Sequence, residues 1–357
     1  MKAAVWHGYK DIRIEEVMEP ATKAGHVKIK VGWAGICGTD RHEYTGPNFI
    51  PTTKPHRLTG RVAPLTMGHE FSGIISEIGQ GVENWKIGDR VTASGTLACG
   101  ECAMCKSGHE NICSKLGFLG ISDDGAFAEY VLVNEKMLYK IPDNVDMQEA
   151  VLCEPLACGQ HAANLMGGNF IGKKVLVSGS GIIGLSAAIA CIQANASLVI
   201  VSGVGTSKKE FVEEIGAHYV DVATEDVIEA VKNLTQGSLV DAAFECVGIG
   251  SSLNTVIQST RPGSSVMVMG VFEKPPTFPM NDFQEGERVM YTSQAHLHEI
   301  GDCLEKLSLG KYPYISQMIT GRADLENIVE DGFEELNRNK DGHIKLLLRV
   351  AGDDLVL

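Results

Sequence analysis

Basic charge is in short supply in this chain: 31 Lys and Arg face 45 Asp and Glu, a formal net charge of −14. No basic stripe is available to neutralise phosphates, so nucleic acid is not an expected partner. Long apolar runs are missing as well. The opening MKAAVWHGYKDIRIEE holds no apolar core of signal-peptide length. The most apolar later stretch, Lys174 to Ala194, is interrupted by Ser and Gly. It reads as a buried strand and helix, not a membrane span. There is no internal repeat and no low-complexity tract. With no secretion signal beside them, the ten Cys do not suggest a disulfide framework. These absences leave the expectation of a soluble cytoplasmic protein without membrane or nucleic-acid partners. Its composition is ordinary (44% hydrophobic, 21% charged), and 357 residues suffice for two domains.

What is present begins with cysteine spacing. Cys99, Cys102, Cys105 and Cys113 fall within fifteen residues. Short C-x-x-C steps bring thiolates together, and a tetrahedral Zn²⁺ takes four sulfurs at about 2.3 Å. Four thiolates fill the coordination sphere, so this zinc is expected to be structural, and the chemistry must lie elsewhere. Cys153, Cys158, Cys191, Cys246 and Cys303 read as small buried apolar residues.

Two textures divide the chain. Residues 1 to about 150 are rich in Gly and short alternating runs such as Val27-Lys28-Ile29-Lys30-Val31, the pattern of half-buried strands. Gly46 to Pro64, with four Pro, reads as a long irregular loop of the functional kind. Past Glu154, strands alternate with helical patterns: strands at Lys174–Ser178, Leu198–Val201, Val240–Phe244 and Ser265–Met269, helices at Ile182–Asn195 and Ser207–Ile215. That alternation implies a doubly wound parallel sheet with helices on both faces. After His296 come helices and one last strand, Ile344–Val350.

Within the second texture, Gly179-Ser180-Gly181-Ile182-Ile183-Gly184 follows a strand and opens a helix. This is the context in which G-x-G-x-x-G means a dinucleotide site. Gly179 permits the turn, Gly181 lets a pyrophosphate approach, and Gly184 lets helix and sheet pack closely. Ile182 and Ile183 complete the cofactor turn at the positive end of the helix. An NAD enzyme needs an acid at the end of the next strand for the ribose 2′-OH. Here the strand ends Val201-Ser202-Gly203, and no acid follows before Glu210. Thr206, Ser207, Lys208 and Lys209 stand there instead. Ser202, Gly203 and Lys208 are therefore candidates for a 2′-phosphate site, and the expected cofactor is NADP, or NAD with dual use.

Three further places offer metal ligands: Cys37 in a Gly-flanked turn, His69-Glu70, and Cys153-Glu154-Pro155. Together they supply thiolate, imidazole and carboxylate, three ligand types that zinc accepts. Pro155 predicts an extended Glu154 just before a helix.

GICGTDRH, APLTMGHEFSG, the four-Cys lobe, CEPLACGQHA and VSGSGIIGL occur in the order found in zinc-dependent medium-chain alcohol and polyol dehydrogenases. The chain resembles that family over nearly its whole length, most of all its butanediol dehydrogenase branch, with sorbitol and threonine dehydrogenases near it. The resemblance implies a two-domain α/β architecture. Residues 1–154 plus 297–357 would form a β-rich catalytic domain with a chaperonin-like barrel, and 155–296 a Rossmann coenzyme domain, the site lying in the cleft between them. It implies a catalytic zinc on Cys37, His69 and Glu154, with Glu70 able to coordinate in exchange. It implies a proton relay from substrate to Thr39 to His42, and a homodimer or homotetramer. The implied activity is oxidation of a secondary alcohol, a vicinal diol or polyol, to a ketone with a nicotinamide cofactor. Lys54, His56, Arg57 and Arg61 leave a phosphorylated polyol open, and threonine is a further alternative. A non-catalytic nucleotide-binding protein of the same fold is the rival from another class.

Overall fold

The computed structural model describes residues 1–46, 49–353 and 355; Pro47 and Asn48 of the long loop lie outside the described residues. The chain forms two compact units, Met1–Glu154 with Ile300–Leu357, and Pro155–Glu299. The return to the first unit thus falls at Ile300, where the sequence placed it at 297.

The first unit starts with β1 (Lys2–Gly8), β2 (Asp11–Glu16) and β3 (His26–Gly35), then helix α1 (Gly38–Thr45). β4 (Leu65–Thr66), β5 (Glu70–Ile78), β6 (Arg90–Ala93), β7 (Thr96–Leu97), β8 (Gly117–Phe118), β9 (Tyr130–Asn134) and β10 (Leu138–Lys140) follow. β3 is the hub. It pairs antiparallel with β5 on one side, and with β9 and the C-terminal strand on the other. Its alternating apolar residues Val27, Ile29 and Val31 are fully buried, beside Trp6, Phe71 and Phe127.

The second unit carries β11 (Lys174–Ser178), β12 (Leu198–Gly203), β13 (His218–Asp221), β14 (Val240–Glu245), β15 (Thr260–Val268) and β16 (Val289–Thr292). They form one six-stranded parallel sheet in the order β13-β12-β11-β14-β15-β16. This is the doubly wound dinucleotide-binding order, with the helix Ile182–Gln193 following the first strand. Val175, Leu176, Val177, Ile200 and Val201 are fully buried, as central parallel strands covered on both faces require. The helix read over 207–215 forms only over Lys209–Glu214.

Two strands, not one, end the chain: β17 (Ile319–Asp324) and β18 (Lys345–Arg349), parallel to each other. β17 escapes sequence reading because it is an edge strand with only Ile319 and Ala323 buried. β18 inserts beside β3, Leu347 opposite Gly35. Among the remaining Cys, Cys153, Cys191 and Cys303 are fully buried, while Cys158 and Cys246 are only partly so. Among the described residues no helix is long and apolar enough to cross a membrane.

Candidate active site and coenzyme site

The β3–β5 register builds the first site. Gly35 lies opposite Glu70. Cys37, two residues past Gly35, therefore meets His69, one residue before Glu70. Ligand atoms of Cys37, His69 and Glu70 all lie within 4.8 Å of one another. Cys37 caps the N-terminus of α1, where the Asp40 carboxylate accepts the Cys37 N–H at 2.9 Å. α1 itself is braced by the C-terminal segment. The Tyr44 hydroxyl donates to Glu334 at 2.7 Å, and its ring centroid lies 4.9 Å from that of Phe333.

Buried charge surrounds the cluster. Asp40, His69, Glu70, Glu154 and Lys345 are all buried. The Lys345 ammonium donates to both Glu70 oxygens, at 2.7 and 2.5 Å, and to the Ile36 carbonyl at 3.1 Å. Burial opposes the charge on Lys345, yet Glu70, Cys37 and Glu154 outweigh it and raise its pKa above the ordinary lysine value. Burial likewise works against the His69 cation, and Asp40, Cys37 and Glu154 overcome it, lifting His69 well above the usual histidine range. Burial pushes Asp40 up to about 6, against the pull of His69 and the Cys37 N–H.

Asp40 Oδ1 and His69 Nδ1 face each other at 3.6 Å, both buried and without a hydrogen bond. A carboxylate–imidazole pair of this kind is suited to orient a metal-binding histidine. Thiol, imidazole and carboxylates so arranged fit Zn²⁺. Glu154 lies outside the tight cluster but close enough for its charge to reach His69 and Lys345. It is not extended as expected. It sits in the first turn of the helix Cys153–Leu165. Pro155 is tolerated there because the first-turn N–H it lacks has no intrahelical partner.

Thr39 and His42 stand three residues apart on α1, hence on one face, and both are half-buried. The loop after α1 is tied down. Glu43 accepts the N–H groups of Phe49 and Ile50 at 2.9 and 3.0 Å, and Ala63 N–H reaches Pro51 O at 2.8 Å. Of its basic residues, His56 is bonded to Leu116 O at 3.0 Å, and Arg61 is paired with Asp124 at 2.5 Å.

In the four-Cys lobe, Sγ–Sγ separations are 3.5 Å (Cys102–Cys105), 4.0 Å (Cys99–Cys105) and 4.0 Å (Cys102–Cys113). A tetrahedron with bonds of about 2.3 Å has edges of about 3.8 Å, so the sulfurs fit one Zn²⁺. Backbone N–H groups of Cys105 and Ser114 hold the Cys102 thiol down to about 5. Burial and the neighbouring thiols push Cys105 up to about 12.

In the second unit β11 runs into Gly179, whose φ of +113° suits glycine alone. A Cβ on Gly184 would lie 1.8 Å from Gly179 O, so the helix Ile182–Gln193 packs as closely as the motif demands. Gly181 caps that helix, and the space a side chain would take is open to 4 Å, which fits a diphosphate. Ile182 and Ile183 are half-buried in its first turn. The Ser202 hydroxyl points within the sheet, 3.4 Å from Ser178 Oγ. Lys208 is buried beside Lys209, which is exposed and lies 3.8 Å from Glu213.

Sequence reading missed Lys345 and Asp40. A lone lysine in the apolar run Ile344-Lys345-Leu346-Leu347-Leu348 was the available signal for the first. Asp40 stands inside GTDRH but is distinguished only by its burial.

An "Alcohol dehydrogenase GroES-like domain" matches residues 23–143 and a "Zinc-binding dehydrogenase" domain residues 183–308. The chain is 40% identical over 357 residues to (R,R)-butanediol dehydrogenase of Bacillus subtilis, covering 98% of this chain and 99% of that one. It is 37% identical to a sorbitol dehydrogenase of Halalkalibacterium halodurans over 281 residues, 77% of this chain and 78% of that one. Its fold matches a zinc-binding dehydrogenase of Sinorhizobium meliloti bound to NADP, with a TM-score of 0.86 at 30% identity, covering 98% and 99% of the two chains. A thiol–imidazole–carboxylate cluster, a four-thiol lobe and a Rossmann sheet in one chain are thus joined by full-length likeness: this protein belongs to the zinc-dependent medium-chain alcohol and polyol dehydrogenases, oxidoreductases that use a nicotinamide cofactor.

Proposed function

We propose that this chain oxidises a vicinal diol or a related polyol at a secondary carbinol, giving the ketone, with Cys37, His69 and Glu154 as catalytic zinc ligands and Glu70 as the exchange ligand. The convergence of Cys37, His69 and Glu70 within 4.8 Å, with Glu154 beside them, carries this reading. When bound, the zinc supplies Lewis acidity toward the alcohol oxygen, and the nicotinamide accepts the hydride. The Thr39 hydroxyl takes the substrate proton and passes its own to His42, whose imidazole delivers it to water. Asp40 orients His69, and Lys345 holds Glu70 in reserve. The Cys99, Cys102, Cys105 and Cys113 lobe holds a structural zinc.

The turn Gly179–Gly184 takes the diphosphate. Gly203 at the end of β12 brings no acid against a 2′-phosphate, and Lys208 and Lys209 follow it, which favours NADP over NAD. A phosphorylated substrate is disfavoured, because His56 and Arg61 are engaged within the protein. β16, the outer strand of its sheet, leaves Val289 half exposed, which supports a homodimer or homotetramer. The acidic surface supports a cytoplasmic location.

A turnover screen tests the reading. Nicotinamide absorbance is followed with NAD⁺ and NADP⁺ in parallel, against butanediol stereoisomers, sorbitol, other polyols and threonine, with and without chelator. Chelator-sensitive turnover, fastest on a vicinal diol and favouring NADP⁺, is expected. No turnover with any alcohol, in protein holding two zinc ions per chain, overturns it.

A further inference from the structure

We propose that Ser180 and Tyr219 set coenzyme choice by filling, with two neutral hydroxyls, the place a ribose-binding acid would take at the end of β12. The inference rests on the NADP reading above and adds a mechanism to it. Gly203 is the last residue of β12 and abuts the glycine turn that starts the coenzyme site. In this sheet order an acid there reaches the ribose hydroxyls of NAD.

The backbone does not forbid a side chain at 203, because its φ is not positive. Space forbids it. A Cβ on residue 203 would lie 2.0 Å from Ser180 Oγ, 2.7 Å from Ser180 Cβ and 2.7 Å from the Tyr219 hydroxyl. Rotating the serine hydroxyl away leaves its Cβ in place, because that atom is fixed by the glycine turn. The tyrosine is pinned too: its hydroxyl donates to Gly205 O at 2.7 Å. From the same strand, Asp221 Oδ1 accepts Gly205 N–H at 2.8 Å and Ala223 N–H at 3.0 Å. β13 therefore holds the segment Gly203–Gly205 in a shape that closes the acid's place. Asp221 is the register partner of Gly203 and holds its Oδ1 on the Gly205 and Ala223 N–H groups.

The consequence is specific. An acid introduced at 203 alone has nowhere to stand, so it displaces the glycine turn and harms both coenzymes. The same acid gains its function only when Ser180 and Tyr219 are trimmed. Dissociation constants for NADPH and NADH, read from coenzyme fluorescence on the zinc-loaded protein, test this without turnover. Thermal midpoints run alongside.

Gly203→Asp is expected to weaken both coenzymes by about tenfold or more without a gain in NADH preference. Adding Ser180→Gly and Tyr219→Phe is expected to restore NADH binding and move the ratio toward NADH by about a hundredfold, the scale of a like-charge clash introduced against the 2′-phosphate. Gly203→Ala probes crowding without charge: it should weaken both coenzymes, and Ser180→Gly together with Tyr219→Phe should rescue it. The proposal is overturned if Gly203→Asp alone moves the ratio as far as the triple variant, or if Gly203→Ala binds both coenzymes like the parent. A folded triple variant that binds neither coenzyme overturns it as well. The parent ratio answers a separate question. Tighter NADH than NADPH binding in the unaltered protein would remove the NADP reading, while the single-against-triple comparison still decides the role of Ser180 and Tyr219.

Discussion

The two proposed metal sites of the first unit are built in opposite ways. The four-Cys lobe takes all its donors from Cys99 to Cys113, and two of the four sulfurs belong to only partly buried residues. The other proposed site gathers Cys37, His69 and Glu70, with Glu154 nearby and Lys345 brought in from the last strand, and buries His69, both glutamates and the lysine. The lobe is a local device, made by spacing on one short segment. The cluster is a topological device, made by three strands meeting. A local site needs only its own loop, so it can staple a surface lobe. A topological site collects unlike charges in a dry place, where they can be tuned against one another for chemistry.

Substitution on each side should expose that difference. Cys102→Ser with Cys105→Ser removes the local site outright. Binding at such sites is folding free energy on the order of 10 kcal/mol in isolated zinc modules. The double variant should lose one zinc per chain by metal analysis, and limited proteolysis should cut within residues 98–114. Retention of two zinc ions would contradict the assignment.

Lys345→Met strikes the topological site. It leaves Glu70 buried and unpaired, and loss of one partner of a buried pair costs about 3–5 kcal/mol. Chemical denaturation of chelator-stripped protein should show that loss. The loss should shrink in zinc-loaded protein, where a cation beside Glu70 supplies the missing positive charge. An equal loss in both states would mean that Glu70 does not face the metal.

Asp40→Asn keeps the shape but weakens the hold on His69. Partners of this kind cost about 10–100-fold in metal affinity or activity when removed. Competition with a graded chelator measures the first and kcat/KM the second, and the four-Cys zinc should be untouched. The smallest effect belongs to His42→Ala. Turnover should fall by a few-fold, most at acidic pH, where proton export has least driving force. An unchanged pH–rate profile removes His42 from the relay.

The same contrast explains what could be read without coordinates. The four-Cys lobe and the glycine turn are contiguous, so spacing alone reveals them. Cys37, His69 and Glu154 look ordinary one by one and gain meaning only in combination. Lys345 could not be connected to Glu70, because nothing in sequence announces that β18 inserts beside β3. Glu154 was read as extended from a proline rule that yields at a helix N-terminus. β17 was invisible because an edge strand buries too few residues to show a pattern. Ser202 was read as facing a ligand, and its hydroxyl instead meets Ser178 within the sheet.

Lys345 and Glu70 are separated by 275 residues. At a synthesis rate of about 5–20 residues per second, roughly 15–55 seconds pass on the ribosome between the two. Within that interval the second unit, Pro155–Glu299, is made and can close on its own strands, while β3 still lacks its β18 neighbour and Glu70 its lysine. The half-made first unit leaves an apolar strand edge beside an uncompensated carboxylate, a form that invites wrong pairing with other nascent chains. Its yield in a cell should therefore depend on chaperone protection late in translation, more than on the stability of the finished enzyme.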